Sequence, residues 1–256
     1  MKANVNGTEL YYELSGKEGA PWLVLSHSLA CTVRMWDPQQ VAVLKDRYRI
    51  LNYDMRGHGQ SAAPQGPYTL DMLADDVLGL MKELKIERAT YMGLSIGGMI
   101  GQTLALRQTR LFDRMVLADT SHAQPPEAIK QWEERIKIAQ TQGMKPLVSS
   151  TMERWFTPSF RESPQAKKIA ELIANTPVAG YVGCGQAIMK LNTTARLKEI
   201  KLPVLAIAGE ADPSAPGTRH IGETVPGAKL VLIPRAAHIS NVEQAATFNQ
   251  ALRDFL

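Results

Sequence analysis

The sequence predicts an α/β chain in which a mostly parallel central sheet is covered by helices on both faces and a helical cap is inserted between two late core strands. Three observations carry that prediction. Short apolar runs alternate with longer stretches of helical periodicity through about the first 120 residues. The alternation stops between about Ser121 and Lys198, where four helical patterns follow one another with no clear strand. It resumes with two further apolar runs before a final helical pattern. The expected organisation is a core built from 1–120 and 199–256, interrupted by a cap over 121–198.

In order along the chain, Asn6-Gly7 is a hairpin signal between strands at Lys2 to Val5 and Thr8 to Leu14. Trp22 to Ser26 and Tyr48 to Tyr53 read as short buried strands, with a helix from Met35 to Leu44 between them. Asp54-Met55-Arg56-Gly57-His58-Gly59-Gln60-Ser61 is a turn-rich loop. Thr69 suits the N-cap of a helix from Leu70 to Leu84, with Asp71 favourable in its first turn. Ala89 to Met92 and Met115 to Ala118 are strands flanking a helix from Ile96 to Arg107. The cap patterns run around Glu127 to Gln142, Leu147 to Trp155, Ala166 to Ala174 and Tyr181 to Met189, divided by Gly and Pro signals. Strands at Pro203 to Ala208 and Lys229 to Ile233 complete the sheet. A last helix spans about Val242 to Phe255, with Asn241 and Gln244 resembling a capping box.

Composition narrows the function classes. The chain has 256 residues, enough to bury an ordinary core as one domain. Its 29 basic and 25 acidic residues are mixed along the sequence, with no basic block, which argues against a nucleic-acid partner. Cys31 and Cys184 match no metal or redox spacing and read as free thiols. No apolar signal segment or membrane-length run is present, so a cytoplasmic location is expected and no membrane partner. The sequence sets no oligomeric state.

The most informative stretch is Gly93-Leu94-Ser95-Ile96-Gly97, where an apolar strand meets a helical pattern. It reads as a nucleophile elbow: a turn this tight brings backbone segments together, glycines avoid the collision, and the serine hydroxyl is held outward. A nucleophilic serine needs a base and an orienting acid. Of the five histidines, His27, His58, His122, His220 and His238, only His238 lies between the last strand and the last helix. Asp212 follows the strand at Pro203 to Ala208 and reaches the same sheet edge. The order Ser95, Asp212, His238 is that of a hydrolytic triad on such a sheet. Glu210 is the rival acid, less suited because it sits nearer the strand end with a longer reach. His58 fits loop bracing better than substrate contact. His220 falls in a helical pattern at the surface, while His122 opens the cap, where lining the pocket is one of its two readings.

Acyl transfer also needs donors for the oxyanion. The backbone N–H of Ile96 follows the nucleophile at a helix N-terminus. The second is expected from the small-residue loop Ser26-His27-Ser28-Leu29-Ala30, with Leu29 as the choice.

With these residues the chain resembles the α/β-hydrolases, and within them the 3-oxoadipate enol-lactonases. The resemblance spans nearly the whole sequence. It rests on His27-Ser28-Leu29, the loop from Asp54 to Ser61, the elbow extended through Gly98-Met99-Ile100-Gly101-Gln102, Trp132-Glu133-Glu134-Arg135, Arg154-Trp155-Phe156-Thr157-Pro158, and Ala237-His238-Ile239-Ser240-Asn241-Val242-Glu243-Gln244. Two positions depart from it: Ala30 stands where many relatives have glycine, and Ser121-His122 where small residues are usual.

The resemblance implies hydrolysis of a small cyclic enol ester bearing a carboxylate, without metal or organic cofactor. An anionic substrate calls for a cation, and Arg135, one turn from Trp132, is the candidate, with Trp132 and Trp155 as apolar walls. The competing readings are a surface salt bridge for Arg135 and plain cap packing for the tryptophans. A general carboxylesterase or lactonase would use the same serine, acid and base. Carbon–carbon bond hydrolases, perhydrolases and small-molecule receptors share the scaffold.

Overall fold

Eight apolar runs pair into one sheet, and the order of pairing places the ends of its central strands along a single edge. A computed structural model describes residues 1–36 and 39–256. The strands are β1 (Lys2–Val5), β2 (Thr8–Gly16), β3 (Trp22–Ser26), β4 (Arg49–Tyr53), β5 (Ala89–Leu94), β6 (Phe112–Ala118), β7 (Val204–Gly209) and β8 (Lys229–Ile233). Their order is β1-β2-β4-β3-β5-β6-β7-β8. Only β1 with β2 and β2 with β4 pair antiparallel; every pairing from β4 to β8 is parallel. Parallel strands need crossovers, which the sequence supplies as helices. The central strands β5 and β7 are buried along their whole length, as expected when helices cover both faces.

The helices of the first part are α1 (Gln39–Leu44), α2 (Leu70–Glu83) and α3 (Ile96–Arg107). Thr69 caps α2 as expected, its side-chain oxygen accepting from the Met72 N–H at 3.0 Å. The expected helix from Met35 to Leu44 is divided: a 3-10 turn covers Val33–Trp36, α1 starts at Gln39, and positions 37 and 38 lie outside the described residues. Between β6 and β7 come α4 (Pro126–Gln142), α5 (Val148–Trp155), α6 (Pro164–Asn175) and α7 (Val178–Met189). Close glycine contacts attach α7 to the core, because a Cβ on Gly180 would lie 1.9 Å from the Gly57 carbonyl oxygen.

The end of the chain departs from the expectation. After α8 (Ala215–Thr224), the single final helix is two, α9 (Ser240–Glu243) and α10 (Ala245–Phe255), with Gln244 non-helical at φ −127° and ψ 53° between them. Asn241 and Gln244 form no capping box. Asn241 lies within α9, and its side-chain nitrogen donates to Gln40 Oε1 at 3.2 Å and to the Met35 carbonyl at 3.3 Å, while Gln244 donates to the Arg235 carbonyl at 3.1 Å. Long-range polar partners outcompete the local reciprocal pair. Among the described residues, no helix is long and apolar enough to cross a membrane.

Candidate active site

The strand-to-helix turn at Ser95 forces the backbone into an uncommon conformation. Ser95 has φ 58° and ψ −115°, a strained position for a residue with a side chain. The flanking glycines make the turn possible: a Cβ on Gly93 would sit 2.2 Å from the Gly97 carbonyl oxygen, and one on Gly97 would sit 2.3 Å from that of Ser26. The side-chain hydroxyl is thereby turned off the end of β5 toward the loops that follow β7 and β8.

Those loops bring the two expected partners to it. His238 Nε2 lies 2.9 Å from Ser95 Oγ, and His238 Nδ1 lies 2.9 Å from Asp212 Oδ1. Asp212 also accepts from the Ser214 backbone N–H at 2.9 Å and from the Ser214 hydroxyl at 2.5 Å. Burial alone would raise the Asp212 carboxyl. The charge and hydrogen bond of His238, with the two donors of Ser214, outweigh it and hold the carboxyl below its ordinary value. An ionised Asp212 requires the proton of a neutral imidazole on Nδ1, which leaves the Nε2 lone pair facing the serine hydroxyl. The rival acid, Glu210, is exposed, and its backbone N–H is taken up in bonding the Ile233 carbonyl.

The donors expected for an oxyanion sit beside this group. Leu29 lines the same cavity as Ser95, and Ile96 opens α3. Among the described residues neither the Leu29 nor the Ile96 N–H has a backbone or side-chain acceptor. The neighbouring Ala30 N–H is occupied, donating to His58 Nε2 at 3.0 Å. Ala30 has φ 57°, the left-handed conformation in which glycine would be unstrained, at the position where the sequence departs from the lactonase pattern.

His27 and His58 brace this loop from beneath. His27 Nε2 accepts from the Met55 N–H at 2.9 Å, and both rings are fully enclosed. Burial drives His27 down to about 4; burial and then the nearby His27 drive His58 down to about 3. Both are neutral acceptors at neutral pH.

The cavity in front of Ser95 measures about 270 Å³. Trp132, Arg135 and Trp155 all line it. Arg135 is not in a surface salt bridge: its guanidinium carbon lies 5.1 Å over the Trp132 ring, and its Nη2 donates to Gln131 Oε1 at 3.1 Å. The Trp155 ring lies 5.7 Å from that of His238, so this tryptophan walls the site as well as packing the insertion.

His122 is the correction. It does not line the cavity, although Ser121 and Ala123 on either side do. The chain bends at His122, and its ring is engaged away from the cavity lining, with partners at Thr194 and on α8. It packs 4.3 Å from the His220 ring and pairs through Nδ1 with Thr194 Oγ1 at 2.7 Å.

Three features were given no role by the sequence. Asp119, fully buried after β6, accepts from the Gly209 N–H at 2.8 Å and the Ser240 hydroxyl at 2.6 Å. Glu243 Oε2 accepts from the Ala237 N–H at 2.8 Å, and Oε1 accepts from the Thr157 N–H at 3.0 Å and from its hydroxyl. Arg154 and Tyr181 share the cavity wall with Arg135. Arg154 adjoins Trp155 in a segment that bears the lactonase resemblance, and that adjacency was its only trace. Both cysteines are free and buried. No cluster of three or more His, Cys, Asp or Glu side chains among the described residues has the arrangement of a metal site.

A family model described as the alpha/beta hydrolase fold matches residues 21–245. The chain is 37% identical to 3-oxoadipate enol-lactonase 2 of Acinetobacter baylyi, over 95% of this chain and 91% of that one. It superposes on the crystal structure of the enol-lactonase from Burkholderia xenovorans LB400 with a TM-score of 0.95 at 40% identity, covering 100% of this chain and 99% of that one. A protein from Agrobacterium fabrum provisionally named carbamate hydrolase RutD is 31% identical over 96% of this chain and 98% of its own length. With a matching family model over most of its length and an eight-stranded sheet of the same architecture, the chain belongs to the α/β-hydrolase fold family.

Proposed function

We propose that this hydrolase acts through Ser95 on small carboxylate-bearing enol lactones, with 3-oxoadipate enol-lactone as the best-fitting substrate. The observation that carries the proposal is the unbroken chain Ser95 Oγ, His238 Nε2, His238 Nδ1, Asp212 Oδ1, at 2.9 Å for each contact, opening onto a cavity lined by Arg135. The enol-lactonase relatives support the substrate class.

In this reading His238 takes the Ser95 proton as Oγ bonds to the lactone carbonyl carbon. The carbonyl oxygen gains the negative charge and is held by the Leu29 and Ile96 N–H groups, the latter at the positive end of α3. Collapse breaks the ring C–O bond, and His238 returns the proton to the departing enol oxygen. The enol tautomerises to a ketone, which makes ring opening hard to reverse. Water, deprotonated by His238, then attacks the acyl carbon, and Ser95 leaves with the proton. Asp212 stays ionised and stabilises the imidazolium. The segment 121–198 acts as a cap over the core formed by 1–120 and 199–256, and Arg135, Trp132 and Trp155 present the lactone to the serine.

The test compares purified wild type with Ser95→Ala and Asp212→Asn on 3-oxoadipate enol-lactone, a neutral p-nitrophenyl ester and a small carbamate. The expected result is kcat/KM highest for the lactone, with Ser95→Ala lowering kcat by about 10⁴-fold or more and Asp212→Asn by about 10⁴-fold. Preference for the neutral ester or the carbamate would overturn the lactone assignment. Full activity of Ser95→Ala would overturn the serine mechanism.

A further inference from the structure

Arg154 lines the same cavity as Ser95, His238 and Arg135. Its Nη2 donates to Thr151 Oγ1 at 3.2 Å, a neutral partner, just as Arg135 donates to neutral Gln131. Among the described residues neither guanidinium forms an ion pair; the adjacent acids, Glu153 and Glu134, are exposed side chains outside ion-pair reach. Two half-buried cations therefore share one wall, with the charges of Glu134 and Glu153 felt from outside but neither paired to a guanidinium.

That arrangement is costly for the empty protein. Burial, and then the charge of Arg135, push Arg154 down to about 10, and burial also lowers Arg135. The Tyr181 side chain is close enough to feel both charges, and burial raises its phenol, so it remains a neutral hydroxyl on the same wall. Each guanidinium has five N–H donors, with a planar fork suited to carboxylate oxygens, and most of those donors remain unused. A fold that keeps like charges together in a concave wall gains by admitting an anion between them.

We propose that Arg154 and Arg135 together form a two-armed carboxylate subsite, with Arg154 as the residue that makes the cavity select anionic over neutral substrates. The proposal rests on the reading of this cavity as the hydrolytic site for carboxylate-bearing substrates and adds to it Arg154 as the second arm, placed for a free carboxylate at the end remote from the reacting carbonyl. A dicarboxylate product would also bind here, so product-like diacids are competitive inhibitors. An exposed arginine in the same position would be screened and weakly selective. A half-buried pair is not.

Two measurements test it, one of which needs no turnover. In the first, the ratio of kcat/KM for a carboxylate-bearing lactone to that for a neutral ester is compared in wild type, Arg154→Met and Arg154→Lys. Loss of charge-assisted bonds to a carboxylate is expected to lower the ratio about 10- to 100-fold in Arg154→Met, through KM, with Arg154→Lys intermediate. In the second, the rise in thermal midpoint with added adipate is recorded in Ser95→Ala and in Ser95→Ala/Arg154→Lys, against sodium chloride at equal ionic strength. A rise with adipate beyond the salt control that shrinks in the double variant supports the subsite. An unchanged selectivity ratio in both Arg154 variants, or equal adipate shifts with and without Arg154, would overturn it. Because the adipate measurement reads binding of a diacid with no ester to cleave, failure of the serine mechanism leaves its outcome readable.

Discussion

Asp119 Oδ2 accepts the hydroxyl of Ser240 at 2.6 Å, two residues beyond His238. Through its other oxygen the same carboxyl holds the Gly209 N–H at 2.8 Å, at the start of the loop that carries Asp212. One buried side chain after β6 thus fastens the base loop to the acid loop. Burial and the nearby Asp212 push the Asp119 carboxyl well above its ordinary value, whereas Asp212 is held below it. The surroundings thus favour charge on Asp212 over charge on Asp119, whose two oxygens serve as acceptors that hold the loops together.

From this division of labour, Asp119→Asn, a neutral isostere, is expected to keep kcat within about tenfold of wild type. Asp119→Ala removes both anchors, and a misplacement on the order of 1 Å costs roughly 100-fold. Steady-state kinetics on the two variants decide it. An Asn variant as impaired as the Ala variant would show that charge, not clamping, is what matters at this position.

Glu243 fastens a different pair: the loop before His238, through Ala237, and the segment after α5, through Thr157. Removing it leaves N–H groups without acceptors, at about 1–3 kcal/mol each. Glu243→Ala should therefore lower the unfolding free energy by about 2–4 kcal/mol, measurable by urea denaturation, with Glu243→Gln losing less because one acceptor oxygen remains.

The acid limb of stability should belong to His27 and His58. Their folded values, about 4 and about 3, lie below the unfolded value of 6.5, so the unfolded chain binds more protons between those limits. Stability is complete above about pH 6.5 and is lost as pH falls toward 4 and then 3, at about 1.4 kcal/mol per shifted unit for each ring. Denaturant midpoints measured from pH 7.5 to 4 should fall in that window. In His58→Gln, where the Ala30 N–H keeps an acceptor, the fall should be shallower.

Gly97→Ala tests the elbow without touching a functional group. Its Cβ would meet the Ser26 carbonyl oxygen at 2.3 Å and that of His27 at 3.1 Å, both rigid backbone. Destabilisation by about 3 kcal/mol or more is expected, or displacement of the loop that presents Leu29 with a loss of kcat. Thermal unfolding and kinetics on a neutral ester detect either.

Most of the fold was legible because its signals are local. β3 and β8 lie at the expected residues, as does α3, since each is a short apolar run or a regular helical period bounded by turn residues. The meeting of Ser95, Asp212 and His238 was legible because strand ends set where each of them emerges. The C-terminal helix was misread because Asn241 finds its partners some 200 residues away at Gln40, which no window around it contains. Asp119, Glu243 and Arg154 were missed for the same physical reason: each acts through groups distant in sequence or through the shape of a wall. His122 went astray because its ring is held by Thr194, 72 residues away, and by His220, farther still, which no window around it contains.

The Ile239 N–H donates to the Trp155 carbonyl at 3.2 Å, beside the contact between the Trp155 ring and His238. The rim of the insertion and the loop that carries the imidazole are thus tied together at two neighbouring points. If His238 is the base, as proposed, a swing that widened the mouth on this side would strain its 2.9 Å contact with Ser95, so substrate entry and hydroxyl activation would compete for the same hinge.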